Sequence, residues 1–428
     1  MIFSPGAISE RKKRAAKNLD TAITDHDVVL VYSGDPIQKP GGHDQTYPFL
    51  PHPDYFWISG SRRAHGISAY SKNDGWIDFV LPVTRDEKIW EGGGDVIPGR
   101  DLKDFEGWIS QKKSGQIYLL GQAYKGQKLS SVSEEERAMV QEKFSEIRRI
   151  KDNEEVALVT SIANMANHGY KQIKSFIRPG VTERDIQIEY ETAVLKAGSH
   201  KMPYDSIVGT GTNAAVLHAI PTMRVVKDGD LVLIDAGGDV HDYCVDITRV
   251  YAANGKFTQQ QQTIYDLVKS AQQTSIEMCR PGTEWREIHL NSGRVMAQGL
   301  HDLGILNISA EEALASGAIG VFFPHGVGHM VGLRVRDVGG PPNPNPKKYG
   351  GSRVRVDMPL KEGYLMTIEP GLYFIEALLN DAETKANFKD QINWTEVAKW
   401  KDFGGIRIED DILVTAKGPQ NLTQMVDK

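Results

Sequence analysis

Leu231-Val232-Leu233-Ile234-Asp235-Ala236-Gly237-Gly238 carries an unbroken apolar strand into a carboxylate and two glycines, and Tyr243-Cys244-Val245-Asp246-Ile247-Thr248 follows as a second strand-like run. Asp235 and Asp246 stand eleven residues apart. An odd offset on one strand sends two side chains to opposite faces, so the pair fits better on facing strands of a hairpin. A tight turn at Val240-His241 then places Asp235 opposite Asp246, with side chains about 5 Å apart. Facing carboxylates in an apolar sheet repel, and burying either one uncompensated is costly. The neighbours are Leu, Ile, Val and Gly, so a divalent metal suits the pair better than Lys or Arg; the competing reading is two surface aspartates in an exposed hairpin.

Working outward, two more acidic residues end apolar stretches, in Thr367-Ile368-Glu369-Pro370-Gly371 and Gly405-Ile406-Arg407-Ile408-Glu409-Asp410. Upstream of both, Pro324-His325-Gly326-Val327-Gly328-His329 sets two histidines in a glycine-spaced turn. A lone His is more often a satisfied core residue than a ligand. Four acids in separate apolar strands beside a glycine-framed His form a coherent set, with too much buried negative charge for one ion. Two dications neutralise four carboxylates, and a bridging hydroxide would complete the shell. Oxygen donors with one imidazole and no thiolate favour Mn²⁺ or Co²⁺ ahead of structural Zn²⁺. Two such ions sharing a water lower its pKa and polarise a carbonyl together, which makes hydrolysis the natural reaction class. Gly209-Thr210-Gly211-Thr212 lacks the Lys of a phosphate-binding loop and reads as a plain turn.

The rest of the chain fits an enzyme. Its 428 residues hold 50 Lys+Arg against 56 Asp+Glu, a net charge of −6, with no basic run for a nucleic-acid backbone. Hydrophobic residues at 40% and charged residues at 25% are globular values. No apolar run approaches the length of a membrane span. Two cysteines, Cys244 and Cys279, exclude a disulfide scaffold and a thiolate zinc knuckle. The N-terminus offers no secretory segment, so a cytoplasmic location is expected.

In the first 130 or so residues, strand-like patches (Val28-Val29-Leu30-Val31-Tyr32, Tyr55-Phe56-Trp57-Ile58, Ile117-Tyr118-Leu119-Leu120) alternate with loops. Ser133-Glu134-Glu135-Glu136 then opens a charged helical stretch to about Glu155. Helical spacing covers 154–177, 182–197 and 261–278, short strands follow from about 205, and 341–346 reads as a Pro/Asn loop. Domains over 1–140 and 141–428 are expected.

Leu233-Ile234-Asp235-Ala236-Gly237, Asp246-Ile247-Thr248-Arg249, Pro324-His325-Gly326-x-Gly328-His329, Ile368-Glu369-Pro370-Gly371 and Gly405-Ile406-Arg407-Ile408-Glu409-Asp410 together resemble the motif set of the dinuclear "pita-bread" metallopeptidases: methionine aminopeptidase, aminopeptidase P and prolidase. The N-terminal third resembles the creatinase-type domain of the last two. The resemblance implies an α+β chain: a mixed α/β N-terminal domain, a linker helix, and a curved antiparallel sheet flanked by helices with the metals in its concave face. It implies Asp235, Asp246, His329, Glu369 and Glu409 as metal ligands, with Asp246 and Glu409 bridging both ions. Glu369 would also accept a proton from the bridging water. His218 and His325 match histidines that contact substrate and would steady the oxyanion. Arg407, on the strand face of Glu409, can orient it; Thr248 and Thr367 stand two residues from Asp246 and Glu369 and could donate to them. The family counterpart of Tyr243 lies near the site, although simple alternation points Tyr243 elsewhere. Relatives pair as homodimers in which one subunit's N-terminal domain rims the other's site, and Trp57 and the loop 35–53 are candidates for that rim.

One departure stands out. Where the family has a segment like Asp-Val-His-Asp-Val-Gly, this chain reads Arg334-Val335-Arg336-Asp337-Val338-Gly339, with Arg336 in place of a substrate-contacting histidine. A guanidinium cannot shuttle a proton near neutrality, but it can hold a carboxylate through two hydrogen bonds; the alternative is that it points to solvent. Arg355, fourteen residues before Glu369, resembles the prolidase arginine that recognises a dipeptide's carboxylate, with solvated strand charges as the bland reading of Arg353 and Arg355. The forty-residue gap from Glu369 to Glu409 is also prolidase-like. The implied activity is an Xaa-Pro dipeptidase on small peptides, with aminopeptidase P acting on longer Xaa-Pro peptides as the alternative. An inactive paralogue that binds protein partners would be expected to lack ligands that are intact here.

Overall fold

Short polar signatures start the helices. Ser133 with Glu136, Thr182 with Asp185, Thr258 with Gln261 and Ser309 with Glu312 each form a reciprocal capping box that satisfies backbone N–H groups with no partner inside the helix. The computed structural model describes residues 2–92, 98–112, 115–121, 132–340 and 347–427, so the loop expected at 341–346 lies outside the described residues. The chain divides into two units, Met1–Glu154 and Glu155–Lys428.

The first unit holds a five-stranded mixed sheet in the spatial order Arg100–Asp101, Gly75–Val80, Ile67–Ser71, Val28–Tyr32, Ile117–Gly121. Val28–Tyr32, buried throughout, runs parallel to Ile117–Gly121 and antiparallel to Ile67–Ser71. Leu30, Tyr32, Phe79, Phe105 and Trp108 fill its core. Tyr55-Phe56-Trp57-Ile58 is not a strand. It lies in the helix Pro53–Ser59, which begins on a proline capped by His52 and ends at Gly60 with a left-handed φ of 67°. Proline fits a first helical turn, and glycine takes the left-handed cap at no Cβ cost. Trp57 is fully buried, edge-on to Phe144 at 5.7 Å, which removes it as a rim residue. The helix Glu134–Arg149 belongs to this unit: Val140 and Phe144 are buried and Arg148 pairs with Asp54 at 2.7 Å. The expected boundary at 140 therefore falls inside a helix, and the division comes after Glu154.

The second unit is built on two three-stranded antiparallel sheets, one of Thr248–Ala252, Leu231–Asp235 and Ile207–Thr210, the other of Leu365–Ile368, Asp410–Thr415 and Gly418–Asn421. A bridge between Thr248 and Glu409 joins them, and Gly371–Tyr373 pairs with Gly405–Arg407 alongside. Helices grip this framework through buried polar atoms. Tyr170 of Asn153–Phe176 and Tyr190 of Glu183–Lys196 hydrogen-bond the backbone carbonyls of Ile234, Ala236, Gly237 and Ile247, and Gln272 of Gln259–Glu277 reaches the Ile368 carbonyl.

The hairpin register differs from the expected one. His241 and Asp242 both take positive φ, 54° and 71°, so they form the two-residue turn between Asp239–Val240 and Tyr243–Cys244. Asp235 consequently pairs with Thr248, not Asp246. The turn sits one residue further along than expected, which moves the partner by two, and a shift of two preserves the face.

Candidate metal centre

Asp235 ends the strand Leu231–Asp235, Asp246 lies just before Thr248–Ala252, Glu369 follows Leu365–Ile368, and Glu409 stands between Gly405–Arg407 and Asp410–Thr415. Strand ends from both sheets thus deliver the four acids, and His329 comes from the glycine-framed turn. The glycines permit close approach. A Cβ on Gly328 would stand 2.0 Å from the Thr367 carbonyl oxygen, and one on Gly237 1.9 Å from that of Val245.

Asp246, His329 and Glu409 each place a ligand atom within 4.8 Å of the others'. His329 Nδ1 lies 3.0 Å from the Met330 carbonyl and donates to it, which turns Nε2, a lone-pair donor once the ring is neutral, toward Asp246 Oδ2 at 3.5 Å and Glu369 Oε1 at 3.8 Å. The Tyr204 hydroxyl is 2.8 Å from Asp235 Oδ1 and 2.6 Å from Asp246 Oδ1, tying the aspartates together despite the shifted register. Glu409 Oε2 accepts from the Thr248 hydroxyl at 2.6 Å, while Oε1 is buried with no hydrogen-bond partner among the described residues.

The electrostatics describe a site short of positive charge. Burial, then the charge of Asp246, pushes the Asp235 carboxyl up to about 7. Burial raises Glu369 against the pull of His329, and burial followed by Asp246 drives Glu409 well above the carboxylate range. For Asp246, burial opposes ionisation, but the hydrogen bond and charge of His329 win and hold it low. Crowded oxygens, one imidazole lone pair and an orphaned carboxylate oxygen fit divalent cations, and Asp235, Asp246, His329, Glu369 and Glu409 could hold them.

The supporting contacts differ from expectation in several places. Arg407 reaches Asp235 Oδ2 at 2.6 Å, the Thr248 hydroxyl at 3.1 Å and the Tyr373 hydroxyl at 3.0 Å, so it orients Asp235 directly and Glu409 only through Thr248. Thr248 serves Glu409 rather than Asp246, whose N–H is taken by Asp411 Oδ2 at 3.1 Å. Thr367 accepts the His329 N–H at 3.0 Å, so it steadies the histidine and not Glu369. Tyr243 is fully buried and donates to Glu155 at 2.8 Å; its phenol turns away from the cavity, as the odd offset from Asp246 suggests.

His325 is also placed differently from its expected role. Nδ1 donates to the Gly326 carbonyl at 2.8 Å, and burial, helped by Arg407, pulls the ring down to about 3, so it is neutral. Nε2 then accepts from the Tyr373 hydroxyl at 2.9 Å, whose oxygen receives Arg407. Both ring nitrogens are occupied, leaving no N–H for an oxyanion. His218, Arg336 and Arg355 do line the cavity of about 120 Å³ over the acids. Burial and then Arg336 lower the His218 imidazole, so it is neutral near pH 7.

Sequence reading missed Tyr204, Tyr373 and Asp411. Tyr204 follows a Met-Pro pair thirty-one residues before Asp235, and no spacing rule reaches that far. Asp411 carried a signal, since Glu409-Asp410-Asp411 puts three acids in a row on a buried strand.

Compared with known proteins, residues 157–416 match the profile of Metallopeptidase family M24. The chain is 30% identical over 422 residues to a probable Xaa-Pro aminopeptidase PEPP from Ajellomyces capsulatus (strain H143), covering 92% of this chain and 89% of the relative. A probable Xaa-Pro aminopeptidase PEPP from Blastomyces gilchristii (strain SLH14081) is 29% identical over 409 residues, covering 89% and 86%. Among solved structures, aminopeptidase P from E. coli with the inhibitor Pro-Leu is similar at TM-score 0.78 and 26% identity, covering 100% of this chain and 96% of that one. Pseudomonas aeruginosa aminopeptidase PepP gives 0.76 and 25%, covering 100% and 97%.

Proposed function

The chain belongs to metallopeptidase family M24, with the α+β pita-bread fold of its aminopeptidase P relatives, and from that membership we propose that it removes the N-terminal residue from Xaa-Pro peptides longer than a dipeptide. The observation that carries this reading is room. The cavity over the acids shares His325, Gly326, His329, Arg336 and Arg355 with a second of about 930 Å³, the size of a site for a ligand of several residues. The names of the relatives point the same way. The dipeptidase expectation keeps one support, Arg355 on the cavity wall, where it could cap a short substrate.

Divalent ions held by Asp235, Asp246, His329, Glu369 and Glu409 would supply Lewis-acid polarisation of the scissile carbonyl and lower the pKa of a water. Glu369, raised by burial, accepts the proton of the attacking water and passes it to the leaving proline nitrogen. Arg407 holds Asp235 in place, Thr248 fixes Glu409, and the Tyr373–His325 chain braces Arg407 from its other side. Neutral His218, facing the cavity, takes the substrate-contacting role that occupied His325 cannot. The same reading takes Mn²⁺ as the ion ahead of Co²⁺ or Zn²⁺, a homodimer as the working form and the cytoplasm as its place; no helix among the described residues is long and apolar enough to cross a membrane.

The test uses metal-stripped protein restored with Mn²⁺, Co²⁺ or Zn²⁺ in turn, on an Xaa-Pro-Yaa tripeptide beside the Xaa-Pro dipeptide. Metal-dependent release of Xaa from the tripeptide supports the proposal. Cleavage of the dipeptide alone would return the case to a dipeptidase.

A further inference from the structure

Thr248–Ala252 is the edge strand of its sheet, and past Thr248, which bridges to Glu409, its last three residues open onto a cavity of about 430 Å³ that shares no residue with the metal cavity. Phe257 and Tyr265 give it an aromatic wall, with ring centroids 4.9 Å apart, and Val250 adds aliphatic surface. A volume of this size suits a small molecule. The charges around it are sorted. Lys174 pairs with Asp427 at 3.0 Å, which leaves Lys269 and Asp266 as the charged lining residues with no ion pair among the described residues. Both stand on the helix Gln259–Glu277, three residues apart and so on one face, where opposite charges often pair; here they do not. Gln262 donates to Asp266 Oδ1 at 2.8 Å, which steadies the carboxylate and leaves its second oxygen to accept. The Tyr251 hydroxyl is buried with no hydrogen-bond partner among the described residues, so the wall is one hydrogen bond short.

We infer that this cavity is a second ligand site, which takes a free amino acid with an aromatic or large apolar side chain. A zwitterion matches the sorted charges. Its carboxylate meets the Lys269 ammonium, its own ammonium meets Asp266, and its side chain lies against Phe257 and Tyr265. One cation beside one anion selects against a plain carboxylate or a plain amine, because either would face a like charge with nothing to offset it. Amino acids of this kind are what Xaa-Pro hydrolysis releases, so under the peptidase reading the site holds a product away from the metals; the groups that recognise it do not depend on that reading.

Methyl groups of Ile177, Val250 and Ala252 line this cavity and those of Leu217 line the metal cavity, so methyl NMR reads the two places separately. The probes, added to the diamagnetic Zn²⁺-loaded protein, are L-phenylalanine, 3-phenylpropionate without the ammonium, and 2-phenylethylamine without the carboxylate. L-phenylalanine is expected to shift the first three residues saturably, with each analogue about tenfold weaker. Lys269→Met should remove the advantage over 2-phenylethylamine, and Asp266→Asn the advantage over 3-phenylpropionate. Asp266 is exposed and Lys269 half-buried, both outside the metal centre, so these variants keep the fold and the hydrolysis of Xaa-Pro-Yaa. No shift with any probe, equal binding of all three, shifts at Leu217 alone, or affinities unmoved in both variants would overturn the inference and leave the peptidase reading standing. Binding of L-phenylalanine here by a protein that cleaves no Xaa-Pro peptide would keep the site and sink that reading.

Discussion

Glu369 stands 3.9 Å from His325 Nδ1 and 3.8 Å from His329 Nε2, and it is less buried than the other acids of the site. That exposure, together with a carboxyl raised by burial, suits it to proton transfer. Glu369→Gln keeps the shape and removes the base, so kcat should fall by about 10²- to 10⁴-fold. Steady-state kinetics alongside metal analysis checks this, and an unchanged kcat would remove Glu369 from proton transfer. His218 gives a second prediction with a sign. Burial and then Arg336, Arg407 and Arg355 lower its pKa, so Arg336→Gln should raise it by deleting a charge that disfavours the imidazolium. NMR titration of the His218 ring reads the shift directly, and an unmoved midpoint would mean that Arg336 does not act on it.

At the scale of elements, the glycine-framed turn and the strand-end bridge hold the site. Gly328→Ala would drive a methyl group against the Thr367 backbone, and the turn carrying His329 would have to move. A stability loss of about 1–3 kcal/mol is expected from overpacking, together with weaker metal binding. Thermal melts and metal titration measure the two effects, and full retention of both would show that the turn yields freely. Behind the bridge, Arg249 pairs with Asp410 at 2.7 Å and donates to the Glu409 carbonyl at 2.7 Å, all of it buried. Arg249→Met takes the guanidinium away from the buried Asp410 carboxylate, at about 3–5 kcal/mol by urea unfolding. Adding Asp410→Leu should recover much of that loss. If the double variant is no better than the single, Arg249 matters chiefly for the carbonyls it holds.

For the molecule as a whole, the buried acids link metal, protons and stability. Asp235 sits near 7 in the folded protein without metal, above the ordinary carboxylate value of about 4, so the stripped fold keeps a proton that the unfolded chain has released. Its contribution is present below that lower value and lost as pH rises toward 7. Metal binding needs the ionised acids, so the Tm gap between loaded and stripped protein should widen between pH 5 and pH 7.5 on calorimetry. A constant gap would mean that the acids do not titrate with the metal. How much of this was legible in sequence follows from the range of each signal. Apolar strands ending in Asp235, Glu369 and Glu409, glycine spacing around His329 and the capped helix start at Ser133 are local patterns, and local backbone sterics and hydrogen bonding enforce them wherever they occur. They point to the fold class and to five candidate donors, of which Asp246, His329 and Glu409 bring ligand atoms within 4.8 Å of one another. The register of Asp235 turned on two left-handed residues, Trp57 was drawn inside by a helix that its aromatic run concealed, and Arg407 chose Asp235 across 172 residues of chain. Those outcomes, like the meeting of Arg336 and Arg355 at one cavity, depend on side chains distant in sequence competing for the same few atoms. Only the folded chain brings them within hydrogen-bonding range, and so only the tertiary structure decides them.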